Sequence, residues 1–387
     1  MKNSGMVLLG LLFCMVPAFA KAETAEGGKR PPVSLLLPQR IYTIQGRPCR
    51  IRFENLVYTP VRGSLLFDVE KGPGAQYNDF FLWQPEEKES TPKELRIALY
   101  RGADFQKLEE RVAEIWPVGT AALTESRTVR WLAIGDSLTA NGNYISAAIR
   151  QMAEFFPTVK VIPVGTQTPK SGHPEIRHEG RPGWSWKSYT STFLPEPASG
   201  SPFVYGPGGV GDFDFARYLK EQQGGEAPEV ITLFLGVNDL MGMAGEFSNE
   251  KLDGLMERAT AMVTKIREAA PGSFIGVVIP PPPGDQSAFG TNYGNGVTEW
   301  QYRRALQRYS ERLLKAFDGR WAERIDVIPA HLDFDPGEHY PRNEYGGRNA
   351  LHPRQSGYEA IAEAVFHWMA HLVAGGEIRS GLENSNR

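Results

Sequence analysis

The chain has 387 residues, with 42 Lys and Arg against 45 Asp and Glu and a formal net charge of −3. That balance leaves no basic stripe and argues against a nucleic-acid partner, and the length suits one large domain with a smaller one beside it. Of two cysteines only Cys49 lies outside the first 22 residues, so an internal disulfide is not expected; a single thiol of this kind reads as a small buried hydrophobe.

Residues 1–22 carry one early lysine, an apolar stretch from Met6 to Ala20 and small-residue cleavage sites ending at Ala20 and Ala22. The stretch is too short to span a bilayer, so it reads as a secretory signal peptide, and export to a periplasmic or extracellular compartment is expected. No other run is long or apolar enough to cross a membrane. Residues 23–32 are polar and read as a flexible leader.

From 33 to 117 the pattern is one of short alternating stretches, 33–37, 50–53, 64–69, 80–83 and 94–100, separated by turn residues. This predicts a small antiparallel, sandwich-like β domain. Trp83 or Tyr77 could serve it as a sugar platform, although a structural brace with core aromatics is the simpler reading. Residues 118–128 read as a linker.

From Val129 strands and helices alternate as far as 375, which predicts an α/β domain built on a doubly wound parallel sheet in three layers, α/β/α. Residues 376–387 read as a tail. The first strand, 129–134, ends in Gly135-Asp136-Ser137-Leu138 and tips into a helix. A serine at such a turn is held beyond the carboxyl edge of the sheet, beside backbone N–H groups that can meet negative charge; taken alone it would also serve as a helix cap.

The second strand, 159–164, leads to a loop with Gly180-Arg181-Pro182-Gly183-Trp184-Ser185-Trp186, whose two indoles could stack on sugar rings or pack in the core. Residues 196–211 form a long Gly/Pro/Ser-rich connection, either a wall near the site or a plain surface insertion, and 212–223 look helical. The third strand, 228–235, ends in Gly236-Val237-Asn238-Asp239, whose Asn238 carries an amide donor suited to an oxyanion. A helix at 250–269, a strand at 274–279, the extended segment Pro280 to Pro283, aromatics at 289–293 and 300–302, a helix at 299–317 and a strand at 324–328 follow.

Asn349-Ala350-Leu351-His352-Pro353 precedes the last helix, 355–373. Near neutrality an imidazole there can take a serine proton and return it to a leaving alcohol. Asp136 and Asp239 read as turn braces, and His173, His178, His331 and His339 lack metal-ligand spacing, so no metal or cofactor is expected.

The three blocks, Gly135-Asp136-Ser137-Leu138, Gly236-Val237-Asn238-Asp239 and His352-Pro353, stand in the order that resembles the SGNH (GDSL-type) hydrolase family. The resemblance covers roughly 129–373 and, through the block at 180–186, extends to exported bacterial esterases that deacetylate polysaccharides. It implies an SGNH, flavodoxin-like fold, Ser137 as nucleophile, His352 as general base, and an oxyanion hole of the Ser137 and Gly183 N–H groups with the Asn238 amide. Gly180 is a competing alignment for Gly183.

The family's Asp-x-x-His block departs here, because Asn349 stands at the carboxylate position. Either a Ser-His dyad is steadied by Asn349 or a backbone carbonyl, or another carboxylate such as Asp333 or Asp335 supports the ring, or turnover is weak or lost. The supported dyad is preferred, with Trp184 and Trp186 binding substrate. The expected function is an exported carbohydrate acetylesterase working through an acyl-serine. The alternatives are a lipase or thioesterase for longer chains and a non-catalytic carbohydrate-binding protein on the same fold.

Overall fold

The computed structural model describes residues 34–378 apart from 60–61, 120–124, 171, 192–199, 207–210 and 293–295. The signal segment, the leader, most of the tail and much of the 196–211 connection therefore lie outside the described residues. Val33–Arg387 groups as one compact unit.

Among the described residues the amino-terminal part holds seven strands: β1 (Arg40–Ile44), β2 (Cys49–Arg52), β3 (Leu65–Lys71), β4 (Ala75–Gln76), β5 (Phe80–Trp83), β6 (Lys93–Arg101) and β7 (Lys107–Val118). They form a sheet of order β1-β7-β6-β3 and a three-stranded sheet β2-β5-β4. All pairings are antiparallel except β1 with β7, which runs parallel from Arg40 opposite Glu114 to Ile44 opposite Val118. Residues 34–37, expected to be a strand, are instead irregular, although Leu35, Leu36 and Leu37 are buried. An apolar cluster that includes Ile51, Phe81, Trp83, Leu95 and Ile97 fills this part. Trp83 is thus a core residue, while Tyr77 stays half-exposed and stacks on Phe80.

The main sheet contains β8 (Arg127–Gly135), β9 (Val159–Val164), β10 (Glu179–Gly180), then, after the small pair β11 (Val204–Tyr205) and β12 (Asp212–Phe213), β13 (Val230–Phe234), β14 (Phe274–Val278) and β15 (Ile325–Ile328). Its path is β10-β8-β13-β14-β15, with β9 also beside β8, and every pairing is parallel. β13 and β14 are buried at every residue, as a sheet covered on both faces requires.

The helices are α1 (Ser137–Ala140), α2 (Asn143–Phe155), α3 (Trp186–Ser191), α4 (Phe215–Gln222), α5 (Val237–Met243), α6 (Asn249–Ala269), α7 (Gln286–Asn292), α8 (Glu299–Phe317), α9 (Pro336–His339) and α10 (Gln355–Ala374). The chain winds outward from β8 in both directions, and right-handed crossovers then put helices on opposite faces. The packing agrees: α2 lies against α10, whereas α6 lies against α3, α4 and α8. The result is a doubly wound α/β fold preceded by an antiparallel β region. Because strand order reverses at β8, its carboxyl end is the topological switch point where ligands bind in folds of this kind.

The two parts are stitched by buried polar contacts. The Tyr42 hydroxyl donates to Asp326 at 2.6 Å, and Asn55 Nδ2 donates to the carbonyls of His331 and Phe334. Among the described residues no helix is long and apolar enough to cross a membrane.

Candidate functional site

Ser137 is the first residue of α1, immediately beyond the end of β8. Gly135 is required just before it, because a Cβ there would stand 2.1 Å from Thr139 Oγ1 and 2.8 Å from the Phe234 carbonyl. Asp136 caps the turn by accepting the Leu138 N–H at 2.9 Å, which leaves the Ser137 N–H without an acceptor among the described residues. Asp136 is fully buried, and burial, with a smaller contribution from Asp239, pushes its carboxyl up to about 7.

The Ser137 Oγ lies 2.7 Å from His352 Nε2, although 215 residues separate them. Burial lowers the imidazole from its ordinary value of 6.5, so the ring remains a neutral base somewhat below that pH. Asn349 Oδ1 accepts the N–H groups of Leu351 and His352 at 3.0 and 2.8 Å, holding the loop that presents the ring by its backbone. The two aspartates considered as substitutes are engaged elsewhere. Asp333 pairs with Arg50 and Arg52; Asp335 pairs with Arg52 and caps α9.

The loop before α3 docks on the same strand end. Gly180 pairs with Gly135, the Arg181 N–H donates to the Gly135 carbonyl at 2.9 Å, and the buried Tyr189 hydroxyl bonds that carbonyl and the Glu179 carbonyl. Arg181 to Trp184 then form a turn closed by the Trp184 N–H on the Arg181 carbonyl, with Pro182 second and Gly183 third. Gly183 has φ +78°, the left-handed value that the third position of a type II turn demands. It is exposed, and its N–H has no acceptor among the described residues. Gly180 is buried and donates its N–H to His178 Nδ1, so of the two alignments Gly183 is the one with a donor left for a ligand.

Asn238 stands in the first turn of α5, just past β13. Its Nδ2 donates to the Trp184 carbonyl at 2.9 Å, and Asp136 Oδ2 lies 3.4 Å away, so one amide hydrogen is committed and the other is only loosely held. Asp239 accepts the Trp186 N–H at 3.2 Å, and burial pushes its carboxyl up to about 6. Gly236 is enforced by Tyr309, whose ring would lie 2.4 Å from a Cβ at that position.

The two tryptophans part company. Trp186 is fully buried, with its Nε1 donating to the Tyr309 hydroxyl at 2.8 Å. That corrects its reading as a substrate platform: its faces are occupied by the core, and it braces the loop against α8. Trp184 is half-buried, its ring approached by Arg181 at 5.1 Å and by the Tyr189 edge at 4.9 Å.

The structure therefore brings Ser137 and His352 into contact and places the loop of Gly183 and the amide of Asn238 on the same strand edge. Sequence reasoning missed the props beneath them, Tyr189 and Tyr309, because both lie on helical faces that read simply as core. Among the described residues no group of three or more His, Cys, Asp or Glu side chains is placed to hold a metal ion.

The family model for GDSL-like lipases and acylhydrolases matches residues 132–365. No curated protein matches the chain. Among solved structures it is similar to the family 3 carbohydrate esterase of Clostridium thermocellum at 18% identity, covering 64% of this chain and 100% of that one, with a TM-score of 0.42. A family 3 carbohydrate esterase from Talaromyces cellulolyticus gives 16%, 64%, 99% and 0.40 in the same measures. Est24, a carbohydrate acetylesterase from Sinorhizobium meliloti, gives 14%, 64%, 100% and 0.37. Likeness at these identities bears on the fold alone, and nothing further rests on it.

Proposed function

We propose that this chain, which belongs to the GDSL-like lipase/acylhydrolase family, is an exported serine esterase that removes short acyl groups, acetyl above all, from a carbohydrate. The observation that carries the mechanism is the 2.7 Å contact between Ser137 Oγ and His352 Nε2 at the switch point of the sheet.

In this reading neutral His352, carrying its proton on Nδ1, accepts the Ser137 proton at Nε2 as Oγ attacks the ester carbonyl. The oxyanion is met by the N–H groups of Ser137 and Gly183 and by the Asn238 amide hydrogen that Trp184 does not hold. The imidazolium returns its proton to the departing alcohol, leaving an acyl-serine. Water, deprotonated by the same ring, then attacks the acyl carbonyl and releases the acid. Asn349 is a positioning residue, acting through the backbone of the loop, so the centre works as a supported Ser-His dyad.

The half-buried face of Trp184 supports the choice of a sugar-bearing substrate, since an indole offers a flat apolar surface beside the acyl site. Export rests on the apolar segment from Met6 to Ala20.

Turnover of p-nitrophenyl acetate, compared with the Ser137→Ala variant, tests the reading. A fall of about 10⁴-fold or more is expected; release that persists without Ser137 would sink the mechanism. Faster turnover of octanoyl than acetyl esters would move the assignment to a lipase, and acetate release from a panel of acetylated glycans tests the substrate class.

A further inference from the structure

A cavity of about 420 Å³ opens between Tyr58, the start of α7, the first turn of α8 and α9. That volume falls within the range of small-ligand pockets. We propose that it is a glycosyl-binding subsite for a neutral oligosaccharide, gripping the substrate chain at a distance from the ester. The inference rests on the carbohydrate reading above and deepens it.

Three observations converge here. The first is Trp300, which lines the cavity and is 47% exposed although it stands at the start of a long amphipathic helix. Arg304, one turn on, lies 5.7 Å from the indole centroid, and Glu299 and Arg303 line the cavity on either side of the tryptophan in sequence. An indole offers the C–H face of a pyranose a flat apolar surface.

The second is the lining charge, which cancels in pairs. Asp285 meets Arg342 at 3.0 Å and Glu299 meets Arg303 at 2.6 Å. Planar carboxylates and guanidiniums bound to one another still keep lone pairs and N–H groups for hydroxyls, yet offer no net charge to a phosphate or a cation. The third is Arg303, which is 8% exposed and whose Nη1 has no partner among the described residues. That nitrogen is itself shut off from solvent, so Arg303 serves as a rigid wall of the cavity, held by Glu299 and the Pro283 carbonyl, rather than as a donor open to a ligand.

The cavity is also fixed in place and tied to the catalytic rim. Thr298 and Gln301 form a capping box at the start of α8, and the Glu299 N–H donates to Gln286 Oε1 at 2.8 Å. Asp285 accepts the Gly347 N–H at 3.1 Å, and the Gly284 N–H donates to the Ala350 carbonyl at 2.9 Å. Gly347 and Ala350 flank Asn349 in the loop that carries His352. One wall of the cavity and the loop of the general base are therefore a single hydrogen-bonded piece.

The test uses the full chain as Ser137→Ala, titrated calorimetrically with unacetylated xylohexaose, cellohexaose and mannohexaose, with and without Trp300→Ala. At least one hexaose is expected to bind, with affinity falling about tenfold on Trp300→Ala and less on Trp300→Phe. In the active enzyme Trp300→Ala should raise KM for the acetylated form of that oligosaccharide and leave p-nitrophenyl acetate turnover unchanged. Binding of none of the three, binding indifferent to Trp300, or an equal loss on p-nitrophenyl acetate would each overturn the subsite. An enzyme inert on every ester that still binds a hexaose through Trp300 would sink the esterase reading and leave the subsite standing.

Discussion

The rim around Ser137 and the seam where β1 meets β15 and α10 bury the same kinds of groups and use them differently. In the seam Tyr42 donates to Asp326, His331 Nε2 meets the Leu36 carbonyl at 2.8 Å, and His371 stacks on Tyr42 at 4.5 Å. Burial pushes Asp326 up to about 6 and holds His331, His367 and His371 down at about 4. At the rim Asp136 and Asp239 are shifted as far, yet they brace turns. What separates the two regions is therefore not the size of a pKa shift but where the unpaired polar groups lie. The seam keeps its leftover polar atoms, among them Thr43 Oγ1, His331 Nδ1 and Trp368 Nε1, shut in the core, while the rim keeps N–H groups without acceptors beside a half-buried Ser-His pair.

The contrast can be broken most severely at Asn238. Asn238→Ala removes the side-chain donor proposed for the oxyanion and is expected to lower kcat by about 10²–10³-fold with a small change in Tm. Steady-state kinetics with thermal melts checks this; a loss of stability that accounts for the lost activity would make Asn238 a brace like those of the seam.

Tyr42→Phe is the converse. It leaves the buried Asp326 carboxyl with only the Val327 N–H as donor, and should cost about 1–3 kcal/mol of stability with kinetics unchanged. Because Asp326 ionises near 6, urea unfolding should show a larger loss at pH 7 than at pH 5.

A gentler probe is proton linkage at His331. Its folded value of about 4 lies below the ordinary 6.5, so the unfolded chain takes up a proton first as pH falls. Stability is therefore lost between about 6.5 and 4, with a slope of at most about 1.4 kcal/mol per pH unit for one such group. Raised carboxyls such as Asp326 act with the opposite sign, losing their contribution as pH rises through about 6. The difference between wild type and His331→Gln isolates the histidine: the variant should show the flatter acid side, and an unchanged slope would mean that His331 takes up its proton in the fold.

How much of this was legible in the sequence follows from the range of each interaction. The helices over 249–269, 299–317 and 355–374 announced themselves because apolar residues at helical spacing report a local period. The serine, asparagine and histidine blocks were legible because each sits at a strand or helix end marked by glycine or proline. The strands β1 and β7 were not, since their parallel pairing joins Arg40 to Glu114, and the charged run Glu109 to Arg111 interrupts the alternation in β7. The helix expected at 212–223 was only partly right, because Asp212 and Phe213 pair with Val204 and Tyr205 before it begins. Nor could spacing decide between Trp184 and Trp186. The latter joins a core assembled from distant segments and bonds Tyr309, 123 residues away.

The smallest expected effect falls where the chain departs from its family. If the missing carboxylate limited catalysis, Asn349→Asp should raise kcat steeply. The geometry argues otherwise, because the Asn349 oxygen is already occupied by the Leu351 and His352 N–H groups, and an aspartate oxygen would keep both bonds. The expected change in kcat is therefore within about tenfold, while the added negative charge should move the acid limb of the kcat/KM profile to higher pH by favouring the imidazolium. Asn349→Ala, which removes both bonds, should cost more than Asn349→Asp. Equal losses in the two variants would mean that Asn349 does not act through the loop backbone, and a gain beyond a hundredfold in Asn349→Asp would show that charge, not loop geometry, was what the dyad lacked.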